Sequence, residues 1–353
     1  MILKKFEHIL FGYGIGLELK TKLSKICNIA NRVCLCTLWL IFVVFQAGNS
    51  FQKFEFRHCE LIFTYVYCFH FIYLIASKRK DILSLNKLLV RLTPGHVSSY
   101  VRRIASKYVV IWLCVYFIDT ILSPITCYVV GVKCVDETMS DRLHKSFTKY
   151  SFGVKMFMIT FWLIIANLKY YLTLLMTLIY VLYIHSFETL TTDFIKALSH
   201  NRSEGRGHDR SYLLLLSKTK TMFENTFSTI PLCKFVFTFL QTTTYFLMFR
   251  KNSPGIIASV YAFYVWNINT WSTLAILFAI ENGNKRIKIC YDDMLIATQH
   301  DESKVTFSLE VEKTMKLEFT AWKLFSLDKS LVLHLISAML TFSILFLQIV
   351  NGN

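Results

Sequence analysis

Residues 331–350 carry no charged side chain, His334 aside, and a run of that length is about what a helix needs to cross a bilayer core. Its polar residues are not scattered. Ser330, His334, Ser337, Thr341 and Gln348 follow one another at spacings of 4, 3, 4 and 7, with Leu345 filling the gap. These spacings hold them to one face of a helix, while Leu, Ile, Phe and Met cover the rest. Such a helix can line water, or it can bind another helix through a seam of small polar residues. The pattern alone leaves both open.

The rest of the chain sets the class. Hydrophobic residues make up 54% of its 353 positions and charged residues only 18%, against about a quarter in a soluble domain. Several further apolar runs approach spanning length, so the sequence predicts an all-α, polytopic membrane protein. The net charge of +16 does not point to nucleic acid, because the basic residues lie between the apolar runs rather than in one patch. Topogenic charge accounts for them. The ten cysteines include no CxxC module. Cys34 and Cys36 sit inside an apolar run without further ligands, so neither a metal nor another cofactor is expected.

Residues 1–32 are basic and lack the apolar core and small-residue site of a cleaved signal; a lead-in helix at the inner face fits better. Spans are expected at 33–49, 60–77, 108–131, 152–186, 232–249, 256–280 and 331–350. Residues 78–107, with eight Lys and Arg against Asp81, read as a basic amphipathic connector. Residues 152–186 are too long for one crossing. With no helix breaker near Lys169 they are expected to form a single helix running on into the cytoplasm. Asp119 inside the third span is either functional, hydrogen-bonded to a neighbouring helix, or near the outer boundary. Residues 281–330 are expected to be an amphipathic helical section, and no internal repeat is visible. Two units follow: 1–280, a sensing bundle, and 281–353, a cytoplasmic section feeding the seventh span.

Lys and Arg number 28 in the loops of one side and 8 in those of the other. The positive-inside rule then puts the N-terminus in the cytoplasm and, with seven spans, the C-terminus outside. The sequon Asn201-Arg202-Ser203 falls inside and should stay unmodified. Cys59 and Cys134 fall outside, either paired or as free thiols.

Thr341 and Phe342, five largely apolar residues, then Gln348 and Ile349 resemble the C-terminal signature of insect gustatory receptors: Thr-Tyr, five hydrophobics, Gln-Phe. Upstream, Phe319, Thr320, Ala321, Leu324, Phe325, Leu327 and Asp328 are similar to that family's Phe-x-Ala…Leu-Phe-x-Leu-Asp run. Phe342 and Ile349 depart from the usual Tyr and Phe but keep an apolar or aromatic body. The resemblance implies seven spans with the N-terminus inside, and a tetrameric, ligand-gated cation channel of the sensory-neuron plasma membrane, dendrites included. Its subunits would be identical or mixed, with the last span around a central pore. On that reading Ser337, Thr341, Leu345 and Gln348 line the pore, with amide oxygens ringing its outer constriction. Trp322, Leu324 and Phe325 contact neighbouring subunits, and Asp328 bridges anchor and pore. A pocket for a small-molecule tastant is implied in the outer halves of spans two to six. There this sequence offers Tyr65, Asp119, Trp162, Gln241, Tyr245, Tyr261, Tyr264 and Asn267, aromatic and polar groups suited to sugars or bitter heterocycles.

Two other classes fit less well. A G-protein-coupled receptor would carry an acid beside the arginines of RRIASKYVV and an outside N-terminus. A transporter would show paired broken helices. An enzyme would need a catalytic constellation; His185 and Glu188 share a helical face without a further partner and read as cytoplasmic helix surface.

Overall fold

A computed structural model describes residues 6–13, 15–16, 21–50, 56–93, 95–129, 152–200, 206–251, 256–298, 317–321 and 325–327, with a subset of positions between 330 and 348. The helices are α1 (Glu7–Gly12), α2 (Lys22–Ser50), α3 (Phe56–Ser77), α4 (Arg79–Leu92), α5 (Gly95–Val129) and α6 (Phe152–His200). They continue with α7 (Arg206–Phe227), α8 (Thr229–Lys251) and α9 (Ile256–Thr298). A two-residue antiparallel pair follows, β1 (Thr320–Ala321) with β2 (Phe325–Ser326). The described positions from Ser330 to Gln348 are helical.

Helix α6 is the axis of the molecule. It runs unbroken through Lys169, as expected from the lack of a breaker, and packs mainly against α9 and α5. It is apolar on every face, the signature of a helix surrounded by protein. In its segment Asn167–Leu198, 83% of the most apolar stretch is buried, against 17% for Ser99–Leu122 of α5. Those two segments and Phe263–Ile296 of α9 are long and apolar enough to cross a membrane. The other expected spans lie on α2, α3, α8 and the terminal helix.

The distribution of polarity agrees with a lipid surround. Large apolar side chains of α2 (Ile26, Ile29, Val33, Leu40, Val44) and α5 (Val110, Ile111, Phe117, Ile121) face outward. In water such a face would be an association surface. Lys169, Lys234, Asp119, Gln241 and a series of threonines are buried instead. Thr177, Thr238, Thr242 and Thr244 each donate to the carbonyl four residues back, which satisfies a hydroxyl without any outside partner. The chain is a helical membrane protein.

Three boundaries move. The basic connector at 78–107 is two elements: α4, whose Ile82, Leu85, Leu89 and Leu92 are buried, and the first turns of α5, which starts at Gly95 rather than 108. Hydropathy marks where a helix enters lipid, not where it begins. Helix α9 likewise passes through residue 280 and ends at Thr298. Thr320–Ala321 and Phe325–Ser326 are paired strands rather than helix, with the Leu327 amide donating to the Phe319 carbonyl at 2.8 Å. The expected lead-in helix is α1, whose flanking Phe6, with Leu10 and Tyr13, is buried in the common core.

Candidate functional site

Polar groups meet inside the bundle at two levels. At the first, Asp119 of α5 is buried and accepts the hydroxyl of Tyr171 on α6. Tyr171 is held in turn: its carbonyl accepts Trp112 Nε1 at 2.9 Å, and its ring meets Tyr116 edge-on at 4.9 Å. Of the readings of Asp119, the interhelical hydrogen bond is present. Asp119, Tyr171 and Tyr264 also line a cavity of about 30 Å³ together with Tyr170 and Asn269. That is the space of one water, far below the roughly 300 Å³ where small-molecule sites begin.

Of the other expected pocket residues, Tyr65 is buried on α3 against Trp39, ring centroids 6.0 Å apart, with the Lys169 ammonium 4.6 Å from its ring centre. Gln241 is buried on α8, and its amide makes no hydrogen bond among the described residues. Asn267 turns back on its own helix, donating to the Phe263 carbonyl at 2.8 Å. Trp162, Tyr245 and Tyr261 lie on α6, α8 and α9, but their side chains fall outside the described ones. Among the described side chains of this set, only Asp119 and Tyr264 are brought to one cavity.

A polar ladder joining α8 to α9 was not anticipated. Lys234 Nζ donates to Asn269 Oδ1 at 3.0 Å, Thr238 and Thr273 share a hydroxyl contact at 2.6 Å, and Trp266 Nε1 donates to Thr242 at 3.0 Å. Its signal was legible. Lys234, Thr238 and Thr242 recur every four residues, a polar stripe along an otherwise apolar helix.

The second level is cytoplasmic on the expected topology. Glu188 of α6 is buried; it accepts Arg286 Nη1 of α9 at 2.8 Å and lies 3.1 Å from His185 Nδ1. The expectation that His185 and Glu188 are plain helix surface is therefore corrected. Their further partner is Arg286, distant in sequence and brought in by the α6–α9 packing. Burial pushes the Glu188 carboxyl up, but the His185 hydrogen bond and the Arg286 guanidinium together hold it below the ordinary glutamate range.

Beside this group, the segment leading into the terminal helix is stapled down. Asn284 of α9 takes both backbone groups of Leu317: the Leu317 amide donates to Oδ1 at 2.8 Å and Nδ2 donates to its carbonyl at 3.2 Å. Gly283 makes room for it, since a Cβ there would stand 2.8 Å from Leu317 Cδ1. Thr320 donates to Glu224 of α7 at 2.5 Å. Phe319 enters an aromatic group of Phe187 and Phe223, the latter edge-on at 5.4 Å. Of the two motif runs, Phe319, Thr320 and Leu327 are thus the residues seen to hold the segment. Trp322, Leu324 and Asp328 lie outside the described residues, as does the side chain of Phe325; the sequon and Cys134 lie outside too.

On the terminal helix, Ser337, Thr341, Leu345 and Gln348 are all exposed, with Leu333, His334 and Ile344 beside them. His334 Nδ1 lies 2.8 Å from the Ser330 carbonyl, so it is an exposed residue of the stripe rather than a packed core imidazole.

No protein-family model and no curated protein matches the chain. Solved structures do. The insect olfactory receptor OR5 of Machilis hrabei in complex with eugenol aligns over 99% of this chain and 97% of its own, with a TM-score of 0.68 at 10% identity. A second OR5 structure aligns over 98% and 97%, with a TM-score of 0.58 at 12% identity. The chain has the fold of an insect olfactory receptor. The likeness runs over nearly the whole length of both chains.

Proposed function

We propose that this chain is a subunit of a chemosensory, ligand-gated cation channel that binds a small tastant and depolarises the sensory neuron carrying it. The observation that carries the reading is the coincidence of two independent likenesses. The fold is that of an insect smell receptor, and the C-terminal motif resembles that of insect taste receptors; both are insect chemoreceptors. Four copies of the terminal helix would enclose the pore, alone or with related subunits, in the plasma membrane of sensory neurons and their dendrites. Seven spans place the N-terminus inside and the C-terminus outside. Ser337, Thr341 and Leu345 line the permeation path and Gln348 rings its outer end. An exposed, half-polar helix face left open in one subunit supports that assignment, because such a face needs either water or a like helix against it.

The tastant pocket forms at Asp119 and Tyr264 by widening of the water-sized cavity, a movement of α9 relative to α5 and α6 that would draw in Tyr65, Trp162, Gln241, Tyr245, Tyr261 and Asn267. Residues 1–280 sense, and residues 281–353 anchor and gate. Trp322, Leu324, Phe325 and Asp328 serve the anchor.

The test is whole-cell recording during a tastant screen, with surface delivery read by an epitope after Asn353. Ligand-evoked cation current, altered in selectivity or lost in Gln348→Arg while intact cells still label, supports the reading. Unchanged permeation in that variant removes Gln348 from the pore. An epitope seen only after permeabilisation overturns the topology.

A further inference from the structure

Lys234 is fully buried among the helices, yet its ammonium makes one described hydrogen bond, to Asn269 Oδ1 at 3.0 Å, with the Phe237 ring centre 5.4 Å away. An ammonium has three donors, and a buried one is held by an anion or by several acceptors. Here the acceptor is a neutral amide, whose own Nδ2 is turned to the Val265 carbonyl at 3.1 Å. Among the described residues no carboxylate bonds Lys234.

Gln241 repeats the pattern. It is 1% exposed, and neither atom of its side-chain amide has a hydrogen-bond partner among the described residues. Its level in the bundle follows from the ladder. Trp266 donates to Thr242, and Thr238 meets Thr273. Asn269 lies between Trp266 and Thr273 on α9, so it stands opposite the turn of α8 that carries Gln241. The Lys234 side chain reaches Asn269 from a position one turn before Thr238, which brings its ammonium to that same level. Lys234, Thr238 and Gln241 are spaced 4 and 3, on one face of α8. Two buried groups with unmet hydrogen-bonding capacity thus share one face and one level, a cost to stability unless something answers them.

Asn269 is also the wall between this amine and the Asp119 cavity, which it lines. Asp119 is the one charged residue of the described lining, and Val115, Leu174, Val265 and Ile268 supply the apolar side. The Asp119 carboxylate keeps the Tyr171 hydroxyl. Two oxygens offer about four acceptor positions, so a further donor adds to that bond rather than replacing it. A carboxylate and an ammonium therefore stand on opposite sides of one amide. A net charge entering such an interior is expensive, whereas a molecule carrying both signs, each end meeting its opposite, brings none.

We propose, resting on the reading of this cavity as the tastant site, that the ligand is a small zwitterionic amino acid. Its ammonium meets Asp119, its carboxylate takes Lys234 and the Gln241 amide as Asn269 turns aside, and its side chain lies against the apolar lining. Turning Asn269 joins the water-sized space to the amine and is part of the widening that a ligand needs.

The experiment is thermal unfolding of the full chain in detergent, followed by tryptophan fluorescence, with L-alanine, L-valine or L-leucine at rising concentration. Each is set beside its N-acetyl form, which lacks the ammonium, and its methyl ester, which lacks the carboxylate. A ligand that binds the folded state raises the melting temperature. A parent amino acid should half-saturate that rise at a concentration about tenfold below either blocked form. In Lys234→Met the ester should match the parent, and in Asp119→Asn the N-acetyl form should. Gln241→Glu sets an anion at the level of Lys234 and breaks no described hydrogen bond. It should melt no lower than the unchanged chain and weaken amino-acid binding about tenfold, so it carries the test where the other two variants misassemble. No shift from any of the three amino acids, equal shifts from parent and blocked forms, or unchanged binding in Gln241→Glu would each overturn the proposal. The readout needs no current. A melting shift without evoked current overturns the channel reading alone, and current evoked by another class of tastant keeps that reading when amino acids fail.

Discussion

Gly283 offers a change whose sign should depend on a residue 34 positions away. Replacing it with alanine sets a Cβ 2.8 Å from Leu317 Cδ1, closer than carbon atoms approach, with the Glu188 side chain next at an ordinary 3.6 Å. Leu317 is 2% exposed and held by both its backbone groups, so it cannot swing away freely. Overpacking of this kind costs about 1–3 kcal/mol, while alanine in a helix interior regains about 1 kcal/mol over glycine. Gly283→Ala alone should therefore destabilise, by up to about 2 kcal/mol. Leu317→Ala alone should cost about 2–5 kcal/mol as a core truncation. With Leu317 truncated the clash is gone, and adding Gly283→Ala should now stabilise by about 1 kcal/mol. Thermal unfolding of the four detergent-purified proteins, followed by tryptophan fluorescence, reads the cycle. Equal shifts from Gly283→Ala in both backgrounds would refute the reasoning, because no steric notch would then exist.

Lys234→Met should cost less than Asn269→Leu, since it removes the buried charge and leaves only the neutral Asn269 Oδ1 unpaired. Asn269→Leu should cost about 1.5–3 kcal/mol by stranding the Lys234 ammonium; the opposite ranking in the same melts defeats this account of the ladder. Glu188, with its carboxyl held below the ordinary range, contributes stability that is present above the unfolded-state value near 4.3 and lost as pH falls through the lower folded-state value. Glu188→Gln should thus melt below the parent at pH 7 and pH 5, with the gap closing only in stronger acid; a gap already closed at pH 5 shows the carboxyl is not held down. Gln348→Glu should raise the preference for cations while assembly stays intact, checked by reversal potentials and by size-exclusion elution.

What could be read from the sequence divides by range. The unbroken course of α6 through Lys169 was legible, because helix continuity depends on local residues and no breaker intervenes. The exposed stripe of Ser337, Thr341 and Gln348 was legible too, since helical period fixes which residues share a face. The ends of α5 and α9 were not, because hydropathy falls where a helix leaves lipid although its hydrogen bonds continue. The partner of Glu188 was hidden for another reason. Arg286 is 98 positions away, and only the packing of α6 on α9 brings them together. Residues 317–321 misled for want of context: an amphipathic charged stretch reads as helix, yet Leu317 and Phe319 find their place outside any helix, against α6, α7 and α9.

One element now connects the two levels of the bundle. Helix α9 carries Tyr264 and Asn269 at the Asp119 cavity and, further along, Gly283, Asn284 and Arg286 at the joint with Leu317 and Glu188. From Asn269 to Asn284 is 15 residues, roughly 22 Å of continuous helix. A helix of that length transmits axial displacement and rotation with little loss, because shortening it would break the hydrogen bonds that define it. Asn284 is tied to the backbone of Leu317 and Glu224 to Thr320, at the start of the short paired segment before Ser330. On the proposed reading, a ligand that enlarges the cavity of about 30 Å³ displaces α9 against α5 or α6, and α9 in turn pulls on the segment it holds at Leu317. Three hydrogen bonds also hold α9 to α8, so on the proposed reading a movement of α9 carries α8 with it.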